Sequence, residues 1–177
     1  MNLCFQQTAI GRIGIAEENG CITHLYFETD AVPQAAASAA PEIIKEAFRQ
    51  LDAYLAGDLQ TFSVTLAPCG TNFMRTVWMA LCGVPYGKTA SYKEIAIAAG
   101  SPKAARAVGL ANNRNPIPLF IPCHRIIGAD GKLTGYRGGL EIKQMLLDME
   151  KRHGTLYIRT DCSGTDRDTA VERNRAA

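Results

Sequence analysis

Apolar and polar residues alternate along the first 30 positions, where two runs, Gly11 to Ala16 and Cys21 to Phe27, flank the dipeptide Asn19-Gly20. Period-two alternation on both sides of an Asn-Gly turn predicts an antiparallel hairpin. The stretch Asp30 to Ala40 is alanine-rich and broken by Pro33, which reads as a loose connection. Pro41 then opens a helical pattern: Ile43, Ile44, Ala47, Phe48, Leu51, Tyr54 and Leu55 fall on one face, with Gly57 just past the end. Phe62, Val64 and Leu66 alternate as in one more strand. These elements predict a small α+β unit over residues 1–70 with a structural role, closed by a boundary at Pro68 to Thr71.

Beyond that boundary the pattern turns helical. Ser91-Tyr92-Lys93-Glu94 is a capping box, and a short helix from Tyr92 to about Ala99 follows, stopped by Gly100. Ser101 is placed to cap the next helix, with Pro102 at its first position and its body over about Lys103 to Asn112. Helix, tight turn and helix is the order of a nucleic-acid reader, and equally that of a helical hairpin packed for stability alone. The second helix is made mostly of small residues, from which Lys103 and Arg106 project. The run Ile117-Pro118-Leu119-Phe120-Ile121 is apolar and strand-like. A last helix is expected from Leu140 to His153, with Gly154 as its C-cap. On it Glu150 shares a face with Leu146 and Leu147, and a carboxylate so placed needs a partner. Residues 71–159 therefore form the second unit, and the polar, charge-mixed stretch 160–177 reads as a disordered tail. The fold class is α+β: a small N-terminal antiparallel sheet plus helix, then a mainly helical C-terminal domain with a helix-turn-helix.

Composition narrows the partners. The 177 residues include six cysteines at irregular spacing (Cys4, Cys21, Cys69, Cys82, Cys123, Cys162), as suits free thiols in a reducing compartment. No apolar stretch approaches the roughly 18 to 20 residues that span a bilayer, and no signal peptide is visible, so a soluble cytoplasmic protein is expected. The net charge is only +2, but it is unevenly spread. Residues 1–70 carry three Lys and Arg against eight Asp and Glu, a net of −5; residues 71–139 carry nine against two, a net of +7. The basic half points to a polyanionic partner.

That half also holds the chemistry. Pro122-Cys123-His124-Arg125 sets a thiol beside an imidazole, and such a thiol can be drawn down from a free pKa of roughly 8.5 to become a nucleophile near neutral pH. Around it stand Phe-Met-Arg-Thr-Val-Trp (73–78), Val-Pro-Tyr-Gly-Lys-Thr-Ala-Ser-Tyr (84–92), Ala-Ala-Arg-Ala-Val-Gly (104–109), Asn-Arg-Asn-Pro (113–116), Ile-Pro-Cys-His-Arg-Ile-Ile-Gly (121–128) and Thr-Gly-Tyr-Arg-Gly-Gly-Leu (134–140). In order and spacing this segment closely resembles the O6-alkylguanine-DNA alkyltransferases, which move an alkyl group from guanine O6 in duplex DNA to their own cysteine and are consumed; whether thymine O4 is also a donor is left open.

The resemblance implies roles residue by residue. Cys123 is matched to the nucleophile, His124 to the base that deprotonates it through a water, Glu150 to the carboxylate that orients the histidine, and Asn115 to the asparagine bracing the turn. Arg106 is matched to the arginine that replaces the flipped base, and Tyr92 to the tyrosine that presses on the neighbouring phosphate. Ala105, Ala107 and Gly109 belong to the DNA-facing helix. Tyr136, the glycines around it and the Arg137 backbone line the pocket, while the carbonyls of Cys123 and Ile126 read the guanine amine. No cofactor or metal is expected. Cys4, Cys21 and His24, with Cys69 as a fourth ligand, are the set that a structural zinc would use. A monomer is expected, with cooperative loading on DNA left open. Asn112 and Arg137 depart from the human-type family members, standing where those carry an apolar pocket wall and a small polar residue. They predict poor acceptance of benzyl groups and unimpaired methyl transfer. The competing readings are a lesion-binding module without transfer, a cysteine hydrolase, and a DNA-binding regulator.

Overall fold

The computed structural model describes residues 1–33 and 39–160. The chain opens with a meander, β1 (Asn2–Thr8), β2 (Gly11–Glu18) and β3 (Cys21–Tyr26), in the order β1-β2-β3 with both pairs antiparallel. Asn19 and Gly20 both adopt positive φ (52° and 76°), the primed turn expected of Asn-Gly between twisted strands. The first strand was not singled out in the sequence; it completes the sheet. The register shifts between Ala16 and Glu17, so the hairpin carries an irregularity near its turn.

Helix α1 (Glu42–Ala56) covers this sheet with Ile44, Ala47, Phe48, Leu51 and Tyr54 buried, and ends as foreseen at Gly57 in the left-handed conformation. The alternating Phe62-Val64-Leu66 segment does not form a strand. Its pairing stops at one bridge, Ile22 to Leu66, held by Ile22 N–H to Thr65 O (2.9 Å) and Ala67 N–H to Ile22 O (2.8 Å).

Helix α2 (Asn72–Cys82), to which the sequence reading assigned no element, is capped by the Thr71 hydroxyl and buries Val77, Trp78 and Leu81. The Trp78 indole donates to Ala111 O at 2.9 Å, tying α2 to the helix pair. A two-residue strand, β4 (Ala90–Ser91), leads directly into α3 (Tyr92–Ala98), whose capping box is complete. Helix α4 (Ala105–Asn113) starts later than the sequence suggested: Ser101 caps nothing, and its carbonyl instead accepts from Ala104 N–H in a turn. The capping position falls to Ala104, which has no side-chain oxygen to offer.

The apolar run 117–121 is a buried turn rather than a strand: its side chains are buried, and its bridge, Pro118 to Ile121, closes within the run itself. A short 3-10 turn, Cys123–Arg125, follows, then β5 (Ile126–Ile127), which pairs in parallel with β4. This pairing sets the Cys-His turn beside the start of α3. Helix α5 (Leu140–Thr160) runs through Gly154 instead of ending there, since Gly154 keeps a negative φ and offers no left-handed stop. The predicted tail lies outside the described residues beyond position 160. Among the described residues no helix is long and apolar enough to cross a membrane.

Candidate active site

The site is built on a buried turn that satisfies its own backbone through one side chain. Asn115 Oδ1 accepts from Ile117 N–H (3.0 Å) and its Nδ2 donates to Ile121 O (2.9 Å), replacing the ladder bonds that a strand would have made. Leu119, at the tip, holds a positive φ of 75°, a strained state for leucine that only a packed surrounding sustains. The sheet reaches this turn directly, with Leu25 N–H donating to Pro116 O at 2.9 Å.

Cys123 is 4% exposed. Burial pushes its thiol above the ordinary value, more than the Asn115 amide and the charges of Lys143 and Arg137 pull it down. Desolvation here outweighs the neighbouring donors, a direction that favours the thiol over the thiolate and agrees with the expectation that a base must take the proton.

His124 is fully buried beside it, and desolvation holds its pKa below 6.5 against the pull of Glu150. Its Nε2 lies 3.0 Å from Glu150 Oε1 and 3.1 Å from the Tyr54 hydroxyl. A neutral imidazole facing a carboxylate through Nε2 carries its proton there, so Nδ1 keeps a free lone pair. Nδ1 is buried and has no partner among the described residues.

Glu150 is the hub. Burial raises its pKa, but hydrogen bonds from His124 and Arg125 bring it down to about 2. Its oxygens accept from Arg125 Nε (3.0 and 3.1 Å) and Nη2 (2.8 Å), from Tyr54 Oη (2.5 Å) and from Gly87 N–H (3.0 Å). The partner that this carboxylate was predicted to need is a set of four residues from three regions of the chain.

The remaining predicted residues surround this core. Tyr92 is half-buried at the start of α3, its hydroxyl 2.6 Å from Thr134 Oγ1, and Gly109 of α4 lies beneath its ring. Arg106 and Ala107 are exposed on α4, with Ala105 partly covered. Tyr136 packs edge-on to His124 and Phe27 at centroid distances of 6.5 and 5.8 Å, and its hydroxyl is buried without a partner among the described residues. The Ile126 carbonyl, expected to meet a guanine amine, already accepts from Lys143 Nζ at 2.6 Å; its second lone pair is what remains for a ligand. Arg137 turns its guanidinium between the two halves: Nη2 donates to Leu25 O and Nε pairs with Asp30 Oδ2 at 3.1 Å on the N-terminal side, and Nη1 donates to Asn115 O (3.2 Å) on the C-terminal side. The four residues of the zinc set do not converge, and no described group of three or more His, Cys, Asp or Glu could hold a metal.

Sequence reasoning missed Arg125, Tyr54 and Lys143. Tyr54 was counted as core, which it is, but its hydroxyl enters the site. Lys143 is 0% exposed and donates to Ile126 O and Thr134 O, fastening β5 and the following loop to α5. The available signal was its place three residues before Leu146 on the apolar face of α5, where a solvated lysine does not belong.

A buried thiol next to a carboxylate-anchored imidazole, with the helix pair α3 and α4 alongside, is an arrangement suited to presenting a cysteine nucleophile to a docked substrate. Residues 72–152 match the 6-O-methylguanine DNA methyltransferase, DNA binding domain family, and residues 4–68 match the ribonuclease-like domain family of the same enzymes. The chain is 59% identical over 112 residues to a methylated-DNA–protein-cysteine methyltransferase of Methanosarcina barkeri, covering 63% of this chain and 71% of that one. It is 45% identical to the constitutive enzyme of that name from Bacillus subtilis, covering 82% and 92%. The solved structure of Mycobacterium tuberculosis OGT in complex with DNA superposes with a TM-score of 0.81 at 43% identity, covering 86% and 94%. The chain belongs to the O6-methylguanine DNA methyltransferase family.

Proposed function

We propose that this protein reverses O6-alkylation of guanine in duplex DNA by moving the alkyl group to Cys123 in a single turnover. The Cys123 sulfur forms the new bond to the alkyl carbon, the bond from that carbon to O6 breaks, and its electron pair returns to the guanine, which takes up a proton. The thiol proton leaves through a water toward His124 Nδ1. The observation that carries the reading is that a buried cysteine and a buried histidine share one turn, with one imidazole nitrogen committed to Glu150. The reaction needs no cofactor, because the acceptor is the protein's own thiol.

In this reading the pair α3 and α4 docks on DNA, Arg106 fills the gap left by the extruded base, and Tyr92 presses on the adjacent phosphate. That the Mycobacterium tuberculosis relative was solved in complex with DNA supports DNA as the partner. The chain then divides near residues 68–71 into a supporting half and a reacting half, works as a monomer, and acts inside the cell where DNA is found.

The test is the intact mass after incubation with a duplex carrying one O6-methylguanine. A gain of one methyl group per molecule, absent from Cys123→Ser, is expected. Unchanged mass with tight lesion binding would move the protein to the lesion-recognition class, and repeated release of product would make it a hydrolase.

A further inference from the structure

The acid–base group of the reacting half is completed by a hydroxyl from the other half. Tyr54 lies in the last turn of α1, 70 residues before His124 and 96 before Glu150. Its ring is fully buried and packed against Phe62 at 5.0 Å, Tyr86 at 6.0 Å and His124 at 6.4 Å. A ring needed only for volume is served by phenylalanine, since burying a phenol costs free energy unless the hydroxyl finds a partner. Here the hydroxyl donates to Glu150 Oε1, the same oxygen that faces the imidazole, and stands 3.1 Å from His124 Nε2.

We propose that Tyr54 is a positioning residue for His124, fixing Nε2 as the protonated nitrogen and limiting how strongly Glu150 attracts a proton onto the ring. This rests on the reading of His124 as the base and deepens it. With its own proton on Glu150, the phenol oxygen is free to accept from Nε2–H, so turning the imidazole over would break two contacts. By donating to Oε1, the phenol also withdraws charge from the carboxylate oxygen that would stabilise an imidazolium.

The other groups around the imidazole leave that role to Tyr54. Arg125 in the same turn and Lys143 on α5 are cationic and oppose protonation of His124. Burial holds Tyr86 and Tyr136 as neutral phenols and Cys123 as a thiol. Glu150 is the attractive partner, and Tyr54 sits on the oxygen through which it acts.

Tyr54→Phe keeps the ring and removes the hydroxyl. The measurement is the single-turnover rate of methyl transfer from an O6-methylguanine duplex across acid and neutral pH, with lesion binding checked in the Cys123→Ser background. The acid limb is expected to move to higher pH by about half a unit, a roughly threefold slower transfer on the limb. A limb at the wild-type position, whatever the height of the plateau, overturns the inference and leaves Tyr54 as packing.

Nitrogen NMR of the wild-type histidines provides a measurement that no variant can spoil by misfolding. It is expected to show a protonated Nε2 and a bare Nδ1 at neutral pH, and the reverse overturns the proposal. A wild-type profile without an acid limb, unchanged in His124→Asn, would sink the base reading itself and this inference with it. A wild-type limb that Tyr54→Phe fails to move sinks only the role of Tyr54.

Discussion

Arg125 grips Glu150 along one edge of its guanidinium, with Nε 3.0 Å from Oε2 and Nη2 2.8 Å from Oε1, while Nη1 is spent on Val84 O at 2.7 Å. Both side chains are buried and the arginine is the residue after His124, so this ion pair anchors the Cys123–Arg125 turn to α5. Removing one member of a buried pair leaves the other charge uncompensated, at about 3–5 kcal/mol. Arg125→Ala and Glu150→Ala are each expected to lose about that much in denaturant unfolding. The double variant should lose clearly less than the sum. Additive losses would show that the pair is not coupled.

The same carboxylate makes stability depend on acidity. Glu150 titrates at about 2 in the folded protein against 4.5 ordinarily, so its contribution is fully present above pH 4.5 and is lost as the pH falls through about 2. A shift of that size corresponds to about 3 kcal/mol. His124 acts in the same direction: its folded pKa lies below 6.5, so the unfolded chain takes up the proton first and stability falls as the pH drops below 6.5. Unfolding free energies measured down the acid range should decline in both windows. In Glu150→Gln the decline below pH 4.5 due to this carboxylate should vanish, and a slope there equal to wild type would refute the assignment.

What could be read from the sequence was what neighbours along the chain decide. The Asn19-Gly20 turn, the face of α1 and its Gly57 stop, and the Ser91–Glu94 capping box depend on residues within a turn or two of each other, and each formed as expected. The misreadings share one cause. Phe62 to Leu66 and Ile117 to Ile121 have strand-like patterns, but whether a ladder partner lies alongside is a tertiary matter. Gly154 looks like a stop, yet α5 continues because the backbone there keeps a negative φ. In the site, Cys123, His124, Glu150 and Asn115 were visible through a motif. Tyr54 and Arg125 were not, because their function lies in being buried polar groups, and burial of a hydroxyl or a guanidinium leaves no period in the sequence; Lys143 left one only through its place on the apolar face of α5.

Arg106 is exposed on α4, among the small residues Ala105, Ala107 and Gly109. If it replaces the extruded base, Arg106→Ala should slow transfer from duplex DNA by more than about tenfold, since extrusion costs a few kcal/mol. Reaction with the free base O6-methylguanine, which needs no extrusion, should fall far less. The salt dependence of duplex binding should flatten by about one unit of slope if the arginine also neutralises a phosphate. Equal losses on duplex and free base would instead place Arg106 in the fold of the site.

The pocket loop is tied to the sheet by Arg137, and this bears on which alkyl groups fit. Its guanidinium spans Leu25 O, Asn115 O and Asp30, and Asp30 in turn accepts from Phe27 N–H at 2.8 Å. One residue on, Gly138 lies so close to the Phe27 ring that a Cβ there would stand 2.8 Å from it. A loop clamped at 137 and pressed flat at 138 has little freedom to open around a bulky group, and if Asn112 walls the pocket, as the family resemblance implies, its buried amide would disfavour an aromatic ring there. Wild-type protein should therefore react with O6-benzylguanine much more slowly than with methylated duplex. Arg137→Ser should speed the benzyl reaction severalfold relative to methyl transfer, because it releases the loop, while the lost positive charge near Cys123 acts on both reactions alike. Comparing both rates in both proteins checks the argument: wild-type rates that do not discriminate, or an Arg137→Ser variant that gains nothing with benzyl, would mean that the clamp does not set the size of the accepted group.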